Sequence, residues 1–371
     1  MEMNDIKKFG FGTMRLPKVN DQIDIEQTKI MFDRFMEAGF NYFDTAYAYP
    51  GSEEAIKEAL VKRYPRESYF LTTKCAAWDG CKNAEEAKAQ IDISLERAGV
   101  EYFDLYLLHN IGEMRTHFYD DFNIWDYVKE LKENGKIKHY GFSFHSSPEE
   151  LEDLLNKHPD VEVVQLQINY ADWNNPNIQS KECYDICVRH GKKVIVMEPV
   201  KGGMLANPPK IIKDVFDDYD NGTSYASWGI KFAANLDNVL VVLSGMSNIE
   251  QVEDNLKTMK NFNGLTKEEN EVLEKAMKAI VSIPIIGCTG CNYCANVCPQ
   301  DIGISIFFKA MNIITLYDDK VTAQKDHDRA LNRWARSRAD QCIKCGACES
   351  VCPQHLPIRD LLEKVVDTFE K

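Results

Sequence analysis

Two matching runs of cysteine carry the clearest chemical signal in this chain of 371 residues. Eight of the 12 cysteines repeat the spacing C-x2-C-x2-C-x3-C-P. The runs consist of Cys288, Cys291, Cys294 and Cys298, and of Cys342, Cys345, Cys348 and Cys352. Thiolate sulfur is a soft ligand that suits iron–sulfur clusters or zinc. Two metal-binding centres are therefore expected.

The spacing resembles that of bacterial ferredoxins, in which the fourth cysteine of each run binds the cluster of the other run. This resemblance implies two [4Fe–4S] clusters, one on Cys288, Cys291, Cys294 and Cys352 and one on Cys342, Cys345, Cys348 and Cys298. Structural zinc and disulfides are the alternatives for C-x2-C pairs. The third cysteine and the C-P step in each run favour clusters over both.

Four polar residues in the first third of the chain could act together in proton transfer. Asp44, Lys74 and His109 end runs of β-branched or aromatic residues, and Tyr49 follows soon after Asp44. Each residue alone also has an ordinary explanation, such as a helix cap or a solvated side chain. Together they could form an acid–base site, provided that the ends of their strands meet.

Strand and helix patterns alternate from residue 6 to about residue 280. We predict strands over Lys8–Leu16, Asn41–Asp44, Ser68–Lys74, Phe103–His109, His139–Ser143, Val161–Tyr170, Lys193–Glu198 and Val239–Gly245. We predict helices over Ile25–Ala38, Ser52–Arg63, Ala84–Ala98, Ile124–Asn134, Ser147–Lys157, Lys181–His190, Ser224–Ala234 and Ile249–Lys260. Capping boxes are expected to begin at Ser147 and Ser247.

This alternation favours an α/β fold of the (β/α)8 TIM-barrel type. The sequence has no Gly-rich dinucleotide fingerprint after a predicted strand, which counts against a doubly wound sheet. We expect the barrel to span residues 1–281. A small ferredoxin-like iron–sulfur domain would then span residues 282–371. Helical periodicity over Ile302–Leu316 and Val321–Arg338 predicts that this second domain is helix-rich.

About three-quarters of the chain resembles the aldo-keto reductase superfamily. Gly10-Phe-Gly-Thr-Met-Arg-Leu-Pro17 is similar to that family's first strand, and Asp44-Thr-Ala-Tyr-Ala-Tyr49-Pro-Gly resembles its Asp-Thr-Ala-x-x-Tyr-Gly signature. Thr72-Thr-Lys74 and Leu107-Leu-His109 resemble the strands that carry its catalytic lysine and histidine. The cysteine runs resemble the extension of a subfamily that is fused to a ferredoxin-like domain.

The resemblance implies an oxidoreductase that transfers hydride between NADP(H) or NAD(H) and a small carbonyl or alcohol. Tyr49 would be the proton donor, and Lys74 would lower the pKa of its phenol. Asp44 would hold Lys74 in place, and His109 would orient the substrate carbonyl.

The resemblance also implies a set of cofactor contacts: Gly12, Thr13, Ser143, Gln165, Met197, Gly245, Ser247, Gln251 and Asn255. Gln167 is an alternative to Gln165. Phe144 replaces the usual Asn after Ser143, and His145 could make that contact or be structural. Met197 stands where a tyrosine commonly stacks on nicotinamide. Gly245 and Gln251 stand where family members carry cations for the 2′-phosphate, which leaves NADPH and NADH both open.

Composition narrows the range of partners. A net charge of −14 argues against nucleic acid as a partner. No apolar stretch approaches the roughly 20 residues of a membrane helix, so no membrane association is expected. The N-terminal segment has no secretory pattern, and reduced thiols suit the cytoplasm, so a cytoplasmic protein is expected.

The two kinds of centre lead to more than one functional hypothesis, because hydride carries two electrons and a [4Fe–4S] cluster carries one. The first is an enzyme whose clusters exchange electrons with a partner protein, such as a flavoprotein or a ferredoxin. The second is an electron-transfer or redox-sensing module whose barrel binds nicotinamide without fast turnover. The third gives the clusters a structural role. The complete set of four acid–base residues favours the enzyme.

Overall fold

The protein forms two compact units in a computed structural model that describes residues 3–112, 115–175, 178–219, 222–280, 284–317, 320–333 and 336–371. The first unit comprises residues 1–174, 179–199 and 227–266, and the second comprises residues 175–178, 200–226 and 267–371. The predicted boundary between residues 281 and 282 lies outside the described residues and stays a prediction.

Eight parallel strands close into a barrel in the first unit, which confirms the predicted fold class. Each strand pairs with the next one along the chain, and the last strand pairs with the first. We number them β1 (Phe9–Gly12), β2 (Tyr42–Asp44), β3 (Phe70–Cys75), β4 (Phe103–Ile111), β5 (Ile137–Phe144), β6 (Val163–Gln167), β7 (Lys193–Met197) and β8 (Val239–Gly245).

The first strand is shorter than predicted. It ends at Gly12, and the chain turns into a 3-10 helix over Thr13–Arg15. A two-stranded hairpin, Lys18–Val19 with Gln22–Ile23, then precedes the first α-helix.

The α-helices between and after the barrel strands follow the predicted pattern closely. They span Ile25–Glu37, Ser52–Ile56, Ala84–Ala98, Thr116–Asp121, Ile124–Glu133, Pro148–Lys157, Ser180–Arg189, Tyr225–Ala234 and Ile249–Met259. The predicted helix Ser52–Arg63 is not uniform, because a π-helical turn over Lys57–Val61 continues it.

One of the two predicted caps is confirmed. The Ser147 hydroxyl accepts a hydrogen bond from the backbone N–H of Glu150 at 3.3 Å. The prediction of a cap at Ser247 is wrong, because the side chain of Asn248 accepts the hydrogen bond from the N–H of Gln251 instead. The Ser247 hydroxyl donates to the carbonyl oxygen of Arg15 at 2.7 Å.

The two-residue period of strands places the candidate site directly above the apolar barrel interior. The interior cluster contains Tyr42, Phe70, Leu105, Leu107, Val163, Ile195, Val241 and Leu243. Side chains two residues apart share one face of a strand. The inward-facing rows therefore include Asp44, Lys74, His109, Gln165, Met197 and Gly245 near the carboxyl ends of their strands.

The second unit is helix-rich, as predicted. Its α-helices span Lys210–Asp217, Lys267–Ile280, Tyr293–Asn296, Ile304–Tyr317, Lys320–Arg333, Ala347–Ser350 and Ile358–Val365. The predicted helix Val321–Arg338 ends early, and Ser337 forms a β-bridge with Ile302. Within the described part of the chain, no helix has the length and apolar character needed to cross a membrane.

The core of the second unit packs around the cysteine runs. Phe307, Phe308, Ile358 and Leu362 are buried, and Cys294 and Cys348 belong to the same apolar cluster. Thiolates set among apolar groups are poorly solvated, and a bound metal centre could offset that cost.

Candidate active site and cysteine centres

A buried lysine–aspartate pair joins the ends of β2 and β3. Lys74 Nζ lies 2.5 Å from Asp44 Oδ1 and donates to the carbonyl oxygen of Thr45 at 2.7 Å. Gln165 on β6 reaches the other carboxylate oxygen, with Nε2 3.4 Å from Oδ2. Burial raises the pKa of Asp44 and lowers that of Lys74, whereas their mutual contact opposes both shifts. Whichever partner holds the shared proton, the pair carries no net charge.

Tyr49 and His109 lie beside this pair, so the structure brings all four predicted acid–base residues together. Lys74 Nζ lies 4.8 Å from the centre of the Tyr49 ring. The Tyr49 and His109 rings meet edge to face with their centroids 5.6 Å apart. The site thus offers a phenol and an imidazole side by side at the barrel mouth, above a charge-balanced pair.

His109 is held as a neutral imidazole. Burial moves its pKa well below the usual value near 6.5, and the positive charges of Lys74, His145 and Arg115 add to the effect. Its backbone carbonyl accepts hydrogen bonds from Trp78 Nε1 at 2.8 Å and from the Tyr119 hydroxyl at 2.6 Å. A neutral imidazole in a fixed position can donate a hydrogen bond to a carbonyl oxygen without bringing a charge.

Trp78 and Tyr119 were not predicted to have this supporting role. Both residues follow strands in segments without a regular pattern, so their contacts with His109 could not be predicted from the sequence. The two aromatic residues come together only because β3 and β4 are neighbours in the barrel.

Tyr49 differs from the expectation in the direction of its pKa. Burial raises the pKa of its phenol, and the charges of Asp44 and Glu198 raise it further, while Arg15 opposes them. The net direction is opposite to the expected lowering by Lys74. The physical reason is that loss of water disfavours the phenolate, and the negative charges of Asp44 and Glu198 add to that cost.

The predicted cofactor contacts at the β1–β8 seam lie close together. Gly12 and Gly245 are paired in register. The Thr13 hydroxyl donates to the carbonyl oxygen of Asp44 at 2.8 Å and lies 2.6 Å from the Ser52 hydroxyl. These bonds tie the end of β1 to the end of β2, next to the acid–base residues.

The loop after β8 is organised by its own hydrogen bonds. Gln251 Oε1 accepts from the N–H of Ser247 at 2.7 Å. Asn255 Nδ2 donates to the Ser244 hydroxyl at 3.0 Å. Ser247, Gln251 and Asn255 thus share one loop and the helix that follows it, as the sequence predicts.

The remaining predicted contacts lie on β5, β6 and β7. The Ser143 hydroxyl accepts from the N–H of Asn110 at 2.7 Å, which couples β5 to the residue after His109. Gln165 faces Asp44, whereas Gln167 Nε2 donates to Asp172 Oδ2 at 3.0 Å. Met197 ends β7 and is partly exposed. Gln165 and Gln167 share one face of β6, but of the two only Gln165 is hydrogen-bonded to the acid–base residues.

The two cysteine runs have the same local backbone. Gly290 and Lys344, each just before the second cysteine of its run, have φ angles of 71° and 56°. Asn292 and Gly346, each just after that cysteine, have φ angles of 64° and 78°. Left-handed residues on both sides of one cysteine curl the chain so that successive thiols can turn toward one centre.

Each of two cavities in the second unit is lined by four cysteines, three from one run and one from the other. One cavity has Cys288, Cys291, Cys294 and Cys352 in its walls. The other has Cys298, Cys342, Cys345 and Cys348 in its walls. These are the two sets that the ferredoxin resemblance implies.

The donor set fits an iron–sulfur cluster better than a single ion. Among the described residues, no three His, Cys, Asp or Glu side chains converge tightly enough to hold one metal ion. Thiols spread around a cavity suit a cluster, whereas zinc needs four ligands within about 2.3 Å of one point. Burial and neighbouring cysteines raise the pKa of Cys294, a cost that binding to iron would offset.

The chain belongs to the aldo/keto reductase family, which matches residues 8–278. A 4Fe-4S dicluster domain matches residues 284–356. The protein is therefore an aldo-keto reductase fused to an iron–sulfur domain.

Individual relatives are similar in sequence to more than half of this chain. An uncharacterized oxidoreductase of Schizosaccharomyces pombe is 26% identical over 68% of this chain and 81% of its own length. An aldo-keto reductase of Mycolicibacterium vanbaalenii is 31% identical over 60% of this chain and 74% of its own length.

Solved structures show the same fold. The holo form of an aldo-keto reductase from Bacillus halodurans matches with a TM-score of 0.60 and 26% identity, over 73% of this chain and 92% of its own. An aldo-keto reductase of Klebsiella pneumoniae, solved in complex with NADPH, matches with a TM-score of 0.57 and 22% identity, over 73% of this chain and 90% of its own.

Proposed function

We propose that the barrel catalyses NAD(P)H-linked reduction of a small carbonyl compound, or the reverse oxidation of an alcohol. The observation that carries this proposal is the convergence of Asp44, Tyr49, Lys74 and His109 at the carboxyl ends of β2, β3 and β4. Strand ends on that face are where barrels of this type place their catalytic residues.

The reduced nicotinamide supplies hydride to the carbonyl carbon when it is bound. Tyr49 donates its phenolic proton to the carbonyl oxygen, and neutral His109 donates a hydrogen bond to the same oxygen. Lys74 and Asp44 hold the phenol in place and keep the site charge-balanced. A phenol of ordinary pKa near 10 is already protonated at neutral pH, so Tyr49 carries the proton that it donates.

We assign the nicotinamide end of the cofactor to Ser143, Gln165 and Met197, which border the acid–base residues. The phosphate and adenosine end would lie along the β1–β8 seam, at Gly12, Thr13, Gly245, Ser247, Gln251 and Asn255. The amide and hydroxyl groups of this seam suit either NADPH or NADH.

We assign two [4Fe–4S] clusters to the two cavities of four cysteines each. Clusters of this kind transfer single electrons when bound. The thiol side chains of this chain would hold them and must stay reduced, so we expect a cytoplasmic protein. A redox partner such as a flavoprotein or a ferredoxin would exchange electrons with them.

Replacement of Tyr49 tests the proposed reaction. Tyr49→Phe should lower kcat for aldehyde reduction about 10²–10⁴-fold, because the general acid is lost. Binding of NADPH, followed by fluorescence titration, should change little. Tyr47→Phe is the matched control, since Tyr47 lies on the same segment with Arg97 4.7 Å from its ring centre.

The outcome also separates the enzyme from the electron-transfer alternative. Turnover that is the same in Tyr49→Phe, or absent from the parent protein despite tight NADPH binding, would favour a barrel that binds nicotinamide without catalysis.

A further inference from the structure

A cation is fixed against the wall of the candidate active site. The guanidinium carbon of Arg115 lies 4.1 Å from the centre of the Trp78 ring. The ring centroids of Trp78 and His109 are 5.7 Å apart, and Trp78 Nε1 donates to the His109 carbonyl. Trp78 therefore links Arg115 to the residue that faces the substrate carbonyl.

The backbone around Arg115 is also well anchored. The N–H of Arg115 donates to the carbonyl oxygen of Gly112 at 2.7 Å, and the N–H of Thr116 donates to the same oxygen at 3.0 Å. The Thr116 hydroxyl lies 2.6 Å from Glu150 Oε1. Arg115 directly precedes the helix Thr116–Asp121. A side chain held at both its backbone and its aromatic platform loses less entropy when it binds a ligand.

The charge of Arg115 acts on the candidate site. Burial is the largest cause of the lowered pKa of His109, and the charges of Lys74, His145 and Arg115 lower that pKa further. Because Lys74 is paired with Asp44, the guanidinium of Arg115 is the charge that we expect to attract an anionic substrate.

We propose that Arg115, held on Trp78, binds a carboxylate of the substrate, so that the preferred substrates are aldehydes or ketones that also carry a carboxylate. This inference rests on the proposed carbonyl reduction and names its substrate class. A guanidinium stacks on an aromatic ring through its flat face, whereas it binds a carboxylate through the N–H groups at its edge. Stacking on Trp78 and carboxylate binding are thus compatible.

The substrate preference of the holoenzyme tests this proposal. We would compare kcat/KM for 4-carboxybenzaldehyde with that for benzaldehyde, and for succinic semialdehyde with that for butanal, using NADPH. The anionic member of each pair should be preferred. Arg115→Gln should lower the ratio of anionic to uncharged kcat/KM about 10–100-fold, chiefly through KM, and Arg115→Lys should keep part of the preference.

Lys88→Gln is a matched control because it also removes one cation that lies over an aromatic ring. Lys88 Nζ is 5.1 Å from the centre of Tyr127, on the helix Ala84–Ala98. We expect this variant to keep the substrate ratio of the parent. An equal loss of preference in Lys88→Gln would overturn the specific role of Arg115.

Equilibrium binding separates this proposal from the proposed reaction. Benzoate and benzyl alcohol would be titrated calorimetrically into the parent, Arg115→Gln and Trp78→Phe proteins. Tighter binding of benzoate that is lost in Arg115→Gln supports the carboxylate site, even if no aldehyde is reduced. Reduction of both aldehydes in each pair at equal kcat/KM, or benzoate binding that is indifferent to Arg115, overturns it and leaves carbonyl reduction in place.

Discussion

At the residue scale, the candidate active site works with neutral hydrogen-bond donors above a charge-balanced pair. Lys74 and Asp44 are nearly inaccessible, with side-chain exposures of 1% and 4%. Burial is the largest cause of the raised pKa of Tyr49, ahead of the negative charges of Asp44 and Glu198. We expect the pair to contribute to the position of the phenol more than to its acidity.

Loss of either partner of this pair should be costly. Lys74→Met or Asp44→Asn alone should lower the free energy of unfolding by about 3–5 kcal/mol, because one buried group is left without its counter-charge. The double variant should lose clearly less than the sum of the two. Urea unfolding followed by circular dichroism measures all three values.

The exposed pair of Lys62 and Glu58 provides the control for this set of single and double variants. Their side chains are 55% and 43% exposed, so Lys62→Met should cost less than about 1 kcal/mol. Strict additivity of the two buried substitutions would contradict the coupling.

At the element scale, the pairing of strands decides which residues meet. Asp44 pairs in register with both Gly12 and Thr72, and Ser143 pairs with Gln165. A shift of one residue in any strand would turn its inward-facing side chains outward. The site therefore depends on the close packing of β5 against β6 as much as on the polar residues themselves.

Gly141 on β5 should be intolerant of a side chain. A Cβ atom at this position would overlap the carbonyl oxygen of Val163 on β6 and lie 3.3 Å from a Leu107 methyl group. We expect Gly141→Ala to lower the free energy of unfolding by about 2–3 kcal/mol or more, because the obstacle is backbone. Thermal and urea unfolding would measure the loss.

Gly12→Ala is the control for strand glycines. Its backbone, with φ −83° and ψ 125°, suits any residue, and an added Cβ would lie 3.5 Å from the nearest atoms. Its stability should stay within about 1 kcal/mol of the parent value. Equal stability losses at the two positions would show that β5 and β6 do not pack as closely as described.

At the scale of the whole molecule, the reactions proposed for the two units transfer different numbers of electrons. The family's barrel chemistry uses hydride, a two-electron carrier, whereas [4Fe–4S] clusters exchange one electron at a time. The two families that match, over residues 8–278 and 284–356, are the aldo/keto reductase family and a 4Fe-4S dicluster domain. Of the proposed partners, a flavoprotein would resolve the difference, because a flavin can accept two electrons together and release them singly.

An anaerobic titration of the purified protein tests how the units cooperate. NADPH should bind without reducing the clusters, because no one-electron intermediary is assigned within the chain. Absorbance and low-temperature EPR would follow the clusters. Dithionite, added under the same conditions, should reduce them and thereby show that they are competent. Reduction by NADPH alone would point instead to an internal route through a flavin.

Local patterns in the sequence were sufficient for much of this protein. The alternation of strands and helices predicted the eight barrel strands, because hydrophobic period reports directly on which face of an element is buried. The resemblance of the cysteine runs to those of bacterial ferredoxins implied the two sets of four that line the cavities, in which the fourth cysteine of each run joins the other run. Residues at strand ends were predicted correctly to converge, since parallel strands in a barrel end on the same face.

Only the tertiary structure decided features that depend on residues far apart in the chain. The support of His109 by Trp78 and Tyr119 arises from three separate segments, and no local pattern marks it. Ser247 failed as a helix cap because its hydroxyl has a partner, Arg15, more than 200 residues away. The direction of the Tyr49 pKa followed from burial and from the nearby charges of Asp44 and Glu198. Such effects depend on distance in space, which spacing along the chain does not encode.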